Sequence, residues 1–95
     1  MAAIGVLTLE LRIPDAHSLK EKRHHVLSLK ERLRHKFNVS VAEIDYQDIW
    51  QRALIAVVTV SSSRQFASQI LDAVEREAAA LAGRYLVEAT VEWLD

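Results

Sequence analysis

The segment from His17 to Phe37 carries side chains that bind polyanions, and it carries them in an unusual concentration. Seven of the twelve Lys and Arg residues of the chain lie in it, opposed only by Glu21 and Glu31. The segment therefore has a formal charge of +5, which leaves −6 for the remainder because the whole chain carries −1. Positive charge gathered on one segment of an otherwise acidic protein indicates a polyanionic partner, such as nucleic acid.

The spacing of these cations predicts a line of charge along one side of a helix. Arg23, Lys30 and Arg34 are seven and four residues apart, so they share one flank of the helix, with Lys20 beside them. Such a line can follow the phosphates of a nucleic acid. The expected nucleic-acid-binding residues are Lys20, Lys22, Arg23, Lys30 and Arg34. The alternative is a solvated amphipathic helix whose long side chains cover the edge of the core.

Other side chains that can act in catalysis or bind a metal are present, but none has the spacing of a catalytic or metal site. The four histidines, His17, His24, His25 and His35, include no pair three or four residues apart, and the chain has no cysteine. Glu43, Asp45 and Asp48 fall at the end of the second strand and in its turn, a wet environment that does not favour acid–base catalysis. Ser61 to Ser63 suit a helix cap, and no glycine-rich loop with Lys and Ser or Thr accompanies them. We therefore expect no enzyme, no metal and no cofactor.

Two residues of the central turn have more than one interpretation. Trp50 can be a lid on the core, a contact between subunits of a dimer, or a residue on which a base stacks. Asp48 is expected to cap the turn and to pair with Arg52.

The composition places the chain among small globular proteins of a reducing compartment. Its 95 residues predict a single domain over 1–95, and 51% hydrophobic residues are too many for a disordered chain. The absence of cysteine excludes disulfides. No apolar run approaches about 20 residues, so we expect no membrane contact and a cytoplasmic location.

Alternation and capping signals predict the elements of the first half. Residues 3–13 alternate as a strand that points Leu7, Leu9, Leu11 and Ile13 inward. Ser18 and Glu21 form a capping box at the start of a helix that runs to about Lys36. Its apolar face is formed by Leu19, Val26, Leu29, Leu33 and Phe37. A second strand follows over 39–46.

The second half repeats the same order. The strand over 51–60 is apolar on both faces, Ser62 and Gln65 can form a second capping box, and a helix then runs to about Leu81. Its expected apolar stripe is Phe66, Ile70, Val74 and Leu81. Gly83 suits the left-handed residue after the helix. Residues 84–94 alternate as a strand with inward Tyr85, Val87, Ala89, Val91 and Trp93.

The order β-α-β-β-α-β predicts an α+β, ferredoxin-like fold: a four-stranded antiparallel sheet with two helices on one face. The other face is then open. Because Ile4, Val6 and half of the third strand would expose an apolar patch there, we expect a homodimer through this open face. The first and third strands lack the aromatic cluster with which sheet surfaces stack bases, so RNA binding by the sheet is not expected.

Residues 13–53 resemble the YlxP-like family of small bacterial proteins. The resemblance is carried by the motifs SLKEKR at 18–23, FNVSVAE at 37–43, and Gln47-Asp48 followed by WQRA at 50–53. It implies a ferredoxin-like fold without a settled biochemical activity. Genes of this family often lie beside those of translation initiation and ribosome-maturation factors, which implies a role related to RNA or the ribosome.

These observations predict a non-enzymatic protein that binds ribosomal RNA or a ribosomal particle through its first helix. Two other hypotheses remain open. One is an adaptor whose basic helix docks on an acidic protein, and the other is a small-molecule sensor with its site at the dimer interface.

Overall fold

Two repeats of strand, helix and strand build the molecule, as the computed structural model shows for residues 1–94. The strands are β1 (Ala3–Arg12), β2 (Ser40–Asp45), β3 (Arg52–Ser61) and β4 (Leu86–Leu94). The helices are α1 (Leu19–Lys36) and α2 (Arg64–Ala82), and a short 3-10 turn, Gly83–Tyr85, precedes β4.

The sheet has the order β2-β3-β1-β4, and all neighbouring strands are antiparallel. Both helices pack on one face, where Leu7, Leu9 and Leu11 of β1 meet Val26, Leu29 and Leu33 of α1 and Leu71 and Val74 of α2 in one buried cluster. The prediction of an α+β, ferredoxin-like βαββαβ fold is confirmed. The inward direction of Leu7, Leu9, Leu11 and Ile13 is also confirmed, because all four are buried.

Helix α1 begins as its capping signal predicts. The Ser18 hydroxyl accepts a hydrogen bond from the Glu21 N–H at 3.1 Å. The Glu21 carboxylate reaches back one residue further than a standard capping box, to the His17 N–H at 3.1 Å. Two backbone donors at the helix start are thereby satisfied, and the basic segment begins its helix at a defined point.

Helix α2 differs from the prediction in its cap and in its buried face. Ser63, not Ser62, accepts from the Phe66 N–H, so the predicted pairing of Ser62 with Gln65 is wrong. Phe66 and Leu81 are about half exposed, and the buried residues are Ala67, Leu71, Val74 and Ala78. Small alanines let the helix approach the sheet closely, which moves the larger residues to the rim.

A close approach of α2 to the sheet is visible at Gly5. A Cβ atom at this position would lie 2.7 Å from Leu71 Cδ1 and 2.9 Å from Trp93 Cζ3. Only glycine lets these two side chains meet over β1. Trp93 is covered on its other side by Arg64, whose guanidinium carbon lies 4.6 Å from the ring centre.

Strand β4 starts two residues later than predicted because Gly83, with φ +56°, leads into the 3-10 turn. An irregularity in the pairing with β1 follows, opposite Glu10 and Leu11. It interrupts the alternation, so Val87 is half exposed although the sequence pattern placed it inward.

Candidate nucleic-acid interface

Four cations line the flank of α1 that faces away from α2. Successive residues of an α-helix are rotated by about 100°, which places Arg23, Lys30 and Arg34 within about 40° of one another, with Lys20 about 40° further round. We call Lys20, Arg23, Lys30 and Arg34 the basic flank. Lys30 is half-buried and the other three are exposed. From Lys20 to Arg34 the line is about 21 Å long at 1.5 Å per residue.

None of the four takes part in an ion pair within residues 1–94. No carboxylate of this part of the chain therefore pairs with them. Leu27, half exposed, lies among them on the helix surface. The basic flank thus combines uncompensated positive charge with an apolar residue, an arrangement suited to a partner that is anionic along its length.

The opposite flank of α1 is also basic, but its cations form ion pairs with a carboxylate of the other helix. Arg32 and Lys36 both contact Glu77 of α2, with nitrogen–oxygen distances of 3.0 and 2.6 Å. Hydrogen bonds from Lys36 and then Arg32 hold the pKa of Glu77 below its ordinary value of 4.5. This contact joins the two helices.

Lys22 does not belong to the binding surface, contrary to the sequence-based expectation. Its side chain is 1% exposed. Its Nζ lies 2.9 Å from Glu43 Oε2 on β2 and donates a hydrogen bond to the Tyr46 carbonyl oxygen. A cation buried and paired in this way cannot reach a phosphate, so only four of the five predicted residues lie together on the surface.

The sequence contained a signal for this internal pair. Glu43 lies two residues after the buried Val41 in β2, so its side chain points to the same face of the sheet, toward the helices. A carboxylate on that side needs a cation nearby. Lys22, at the edge of the apolar stripe of α1, supplies it.

The turn between β2 and β3 lies at the amino-terminal end of α1. Tyr46 has a φ of +64°, and the Asp45 carboxylate accepts from its N–H at 2.8 Å. Arg52 stacks on the Tyr46 ring at 4.0 Å and pairs with Glu10 at 3.1 Å. The predicted pairing of Asp48 with Arg52 is therefore wrong, because Glu10 faces Arg52 across the sheet.

Trp50 is not a lid on the core. Its side chain is half exposed, as are those of Ile49 in the same turn and Ile44 near the end of β2. The interpretations as a dimer contact or as a stacking residue stay open.

A second polar cluster lies at the loop between β1 and α1. Tyr85 and Arg84 both donate to Asp15 Oδ2, at 2.8 and 2.9 Å. The hydrogen bond from Tyr85, followed by the charge and hydrogen bond of Arg84, lowers the pKa of Asp15 below its ordinary value of 3.8. The Tyr85 ring is fixed in position as a result.

The open face of the sheet exposes the apolar patch that the sequence predicts. Ile4, Val6, Leu54, Ala56 and Val58 are partly exposed there, and Val60 is 60% exposed. Glu10, Arg12 and Arg52 form a charged group at one end of the patch. Monomers rarely leave such a surface in water.

Within residues 1–94, no helix is long and apolar enough to cross a membrane. In the same part of the chain, no three His, Asp or Glu side chains lie close enough together to hold a metal ion.

Comparison with known proteins identifies relatives of this chain. A family model described as "Protein of unknown function (DUF503)" matches residues 4–91. The uncharacterized protein YlxP of Bacillus subtilis (strain 168) is 51% identical over 61 residues, which are 64% of this chain and 66% of that protein. The resemblance drawn from residues 13–53 is thereby confirmed.

Solved structures show the same fold at low sequence identity. A de novo designed protein with ferredoxin fold has a TM-score of 0.51 and 13% identity, over 99% of this chain and 84% of its own. A dimeric ferredoxin-like protein of unknown function from Thermobifida fusca has a TM-score of 0.50 and 11% identity, over 96% and 90%.

Proposed function

Because this chain belongs to the DUF503 family, whose description assigns no function, we propose a function from its surface: it binds RNA through the basic flank of α1. Ribosomal RNA or a ribosomal particle in the cytoplasm is the partner that the resemblance to the YlxP-like family implies. The role is one of binding and not of catalysis. The observation that carries the proposal is the set of four cations on one side of α1, none of which pairs with a carboxylate among residues 1–94.

The charge distribution of the chain supports this function over that of a solvated helix. On the opposite flank of α1, Arg32 and Lys36 share the carboxylate of Glu77 on α2. The basic flank has no such carboxylate within residues 1–94. Leaving four cations close together costs free energy through mutual repulsion. A phosphate chain that passes along the flank removes that repulsion and releases its own counterions.

The test is a salt series with purified protein, naked ribosomal RNA and small ribosomal subunits. Four phosphate contacts predict that log K falls with log salt with a slope of about −3, since each contact contributes roughly 0.7 to 0.9. A slope near −3 with saturable binding supports the proposal. Absence of binding at low salt would exclude RNA as the partner and leave the adaptor hypothesis.

We also propose that the open face of the sheet pairs two copies of the chain. The patch around Val58 and Val60 is apolar and central, and the Thermobifida fusca protein of the same fold is described as dimeric. Sedimentation equilibrium should give twice the mass of one chain. Val60→Asp should give a monomer, whereas Val87→Asp, at an equally exposed valine outside the patch, should leave the dimer intact. A dimer that survives Val60→Asp would place the interface elsewhere.

A further inference from the structure

A cavity of about 250 Å³ lies between α1, the end of α2 and the end of β1. Its floor consists of buried aliphatic side chains, Leu11, Ile13 and Leu29. Leu81, which the sequence pattern assigned to the buried stripe of α2, forms a half-exposed wall. The cavity opens to solvent between the two helices, so a ligand can enter it.

The rim of the cavity carries the groups that recognise a flat polar ring. It is formed by His24, His25, Ser28 and Tyr85. The rings of His25 and Tyr85 meet edge to face, with centres 5.6 Å apart and planes at 82°. Because Asp15 fixes the Tyr85 hydroxyl, this aromatic corner is formed before any ligand arrives. Imidazole nitrogens and the Ser28 hydroxyl can donate or accept hydrogen bonds at the edge of such a ring.

The cavity adjoins the basic flank only at its Lys20 end, because Arg23, Lys30 and Arg34 lie on the side of α1 that faces away from α2. A shallow depression lined by Lys20, Glu21, His24 and His25 shares both histidines with the cavity. It shares Lys20 with the basic flank. A polyanionic chain that follows the flank to its Lys20 end therefore arrives beside the mouth of the cavity.

We infer that the cavity receives one unpaired base of an RNA strand whose phosphates lie on the basic flank. This inference rests on the proposed function and specifies its substrate as RNA with a bulged, looped or terminal unpaired nucleotide. Proteins read RNA sequence mostly at such unpaired bases, which stack on aromatic and histidine side chains.

Two RNA hairpins that differ by a single bulged adenosine test the inference. Anisotropy at 0.1 M salt should show that the natural protein prefers the bulged hairpin by roughly tenfold, within the range for stacking of one base. Ser28→Phe fills the cavity from its rim without changing the charge, and His25→Ala removes one ring of the corner. Both variants should bind the two hairpins equally, at the affinity of the paired one. Ser62→Phe, at an exposed serine far along the chain from the cavity, should keep the preference.

The outcomes separate this inference from the proposed function. Salt-dependent binding of both hairpins without preference, or a preference that survives both cavity variants, overturns the inference and leaves the proposed function in place. Failure of both hairpins to bind overturns both. Adenosine monophosphate is the third probe: if it binds the cavity as tightly as the bulged hairpin does, the ligand is a free nucleotide and the inference is overturned.

Discussion

A chain that carries Arg23→Glu and Lys30→Glu together should bind ribosomal RNA at least about 100-fold more weakly than the natural chain at 0.1 M salt. Loss of two phosphate contacts alone lowers the affinity roughly 40-fold through counterion release, at a slope of about 0.8 per contact. The two new carboxylates add repulsion against the backbone. Both residues lie outside the core, so circular dichroism and the melting temperature should change little. Filter binding on ribosomal RNA measures the effect.

The opposite flank of the same helix, where Arg32 and Lys36 pair with Glu77, provides the control. Arg23→Gln with Lys30→Gln and Arg32→Gln with Lys36→Gln remove the same charge from α1. The first pair should weaken binding roughly 40-fold and reduce the salt slope by about 1.6. The second pair should weaken it less than about threefold, because both cations lie on the opposite side of α1 and Glu77 already offsets one of their two charges in the free protein. Equal losses would mean that RNA responds only to net charge, and unchanged affinity in both would exclude α1 as the site.

An acidic protein partner would respond to the same charge substitutions, so a second measurement is needed. Treatment of cell extracts with nuclease should release the protein from its complexes if RNA holds it there. Retention after complete digestion would favour the adaptor hypothesis instead.

The fold could be predicted because its signals are local. Alternation in β1, the Ser18 cap and the apolar stripe of α1 each depend on residues close in sequence, and the structure contains all three. The prediction was less accurate for the elements of the second half. The buried face of α2 uses Ala67 and Ala78, whose small side chains carry little periodic signal. The irregularity in β4 depends on pairing with β1, which local sequence does not encode.

The candidate site was predicted only in part, for a related reason. The helical wheel places Lys20, Arg23, Lys30 and Arg34 on one flank, since that depends on α1 alone. The wheel could not separate these free cations from the paired ones, because Glu77 and Glu43 come from other elements. The cavity beside His25 is likewise formed by three elements that are distant in sequence.

Lys22 separates the two roles of positive charge on α1, which are pairing inside the fold and binding of RNA at the surface. Lys22→Met should lower the free energy of unfolding by about 2–4 kcal/mol, because it leaves the Glu43 carboxylate without its buried cation. The Tyr46 carbonyl oxygen also loses its donor. Glu43 keeps 17% exposure, so water offsets part of the loss. Urea unfolding followed by circular dichroism measures the change.

Lys20→Met is the matched control, because it makes the same substitution at an exposed position two residues earlier and should alter stability by no more than about 0.5 kcal/mol. The double variant Lys22→Met with Glu43→Leu should regain at least half of the loss, since it removes both charges together. In RNA binding the order of the two effects should be reversed. Lys20→Met should reduce the salt slope by about 0.7 to 0.9, and folded Lys22→Met should leave the slope unchanged. Equal stability of the two single variants would contradict the buried pair.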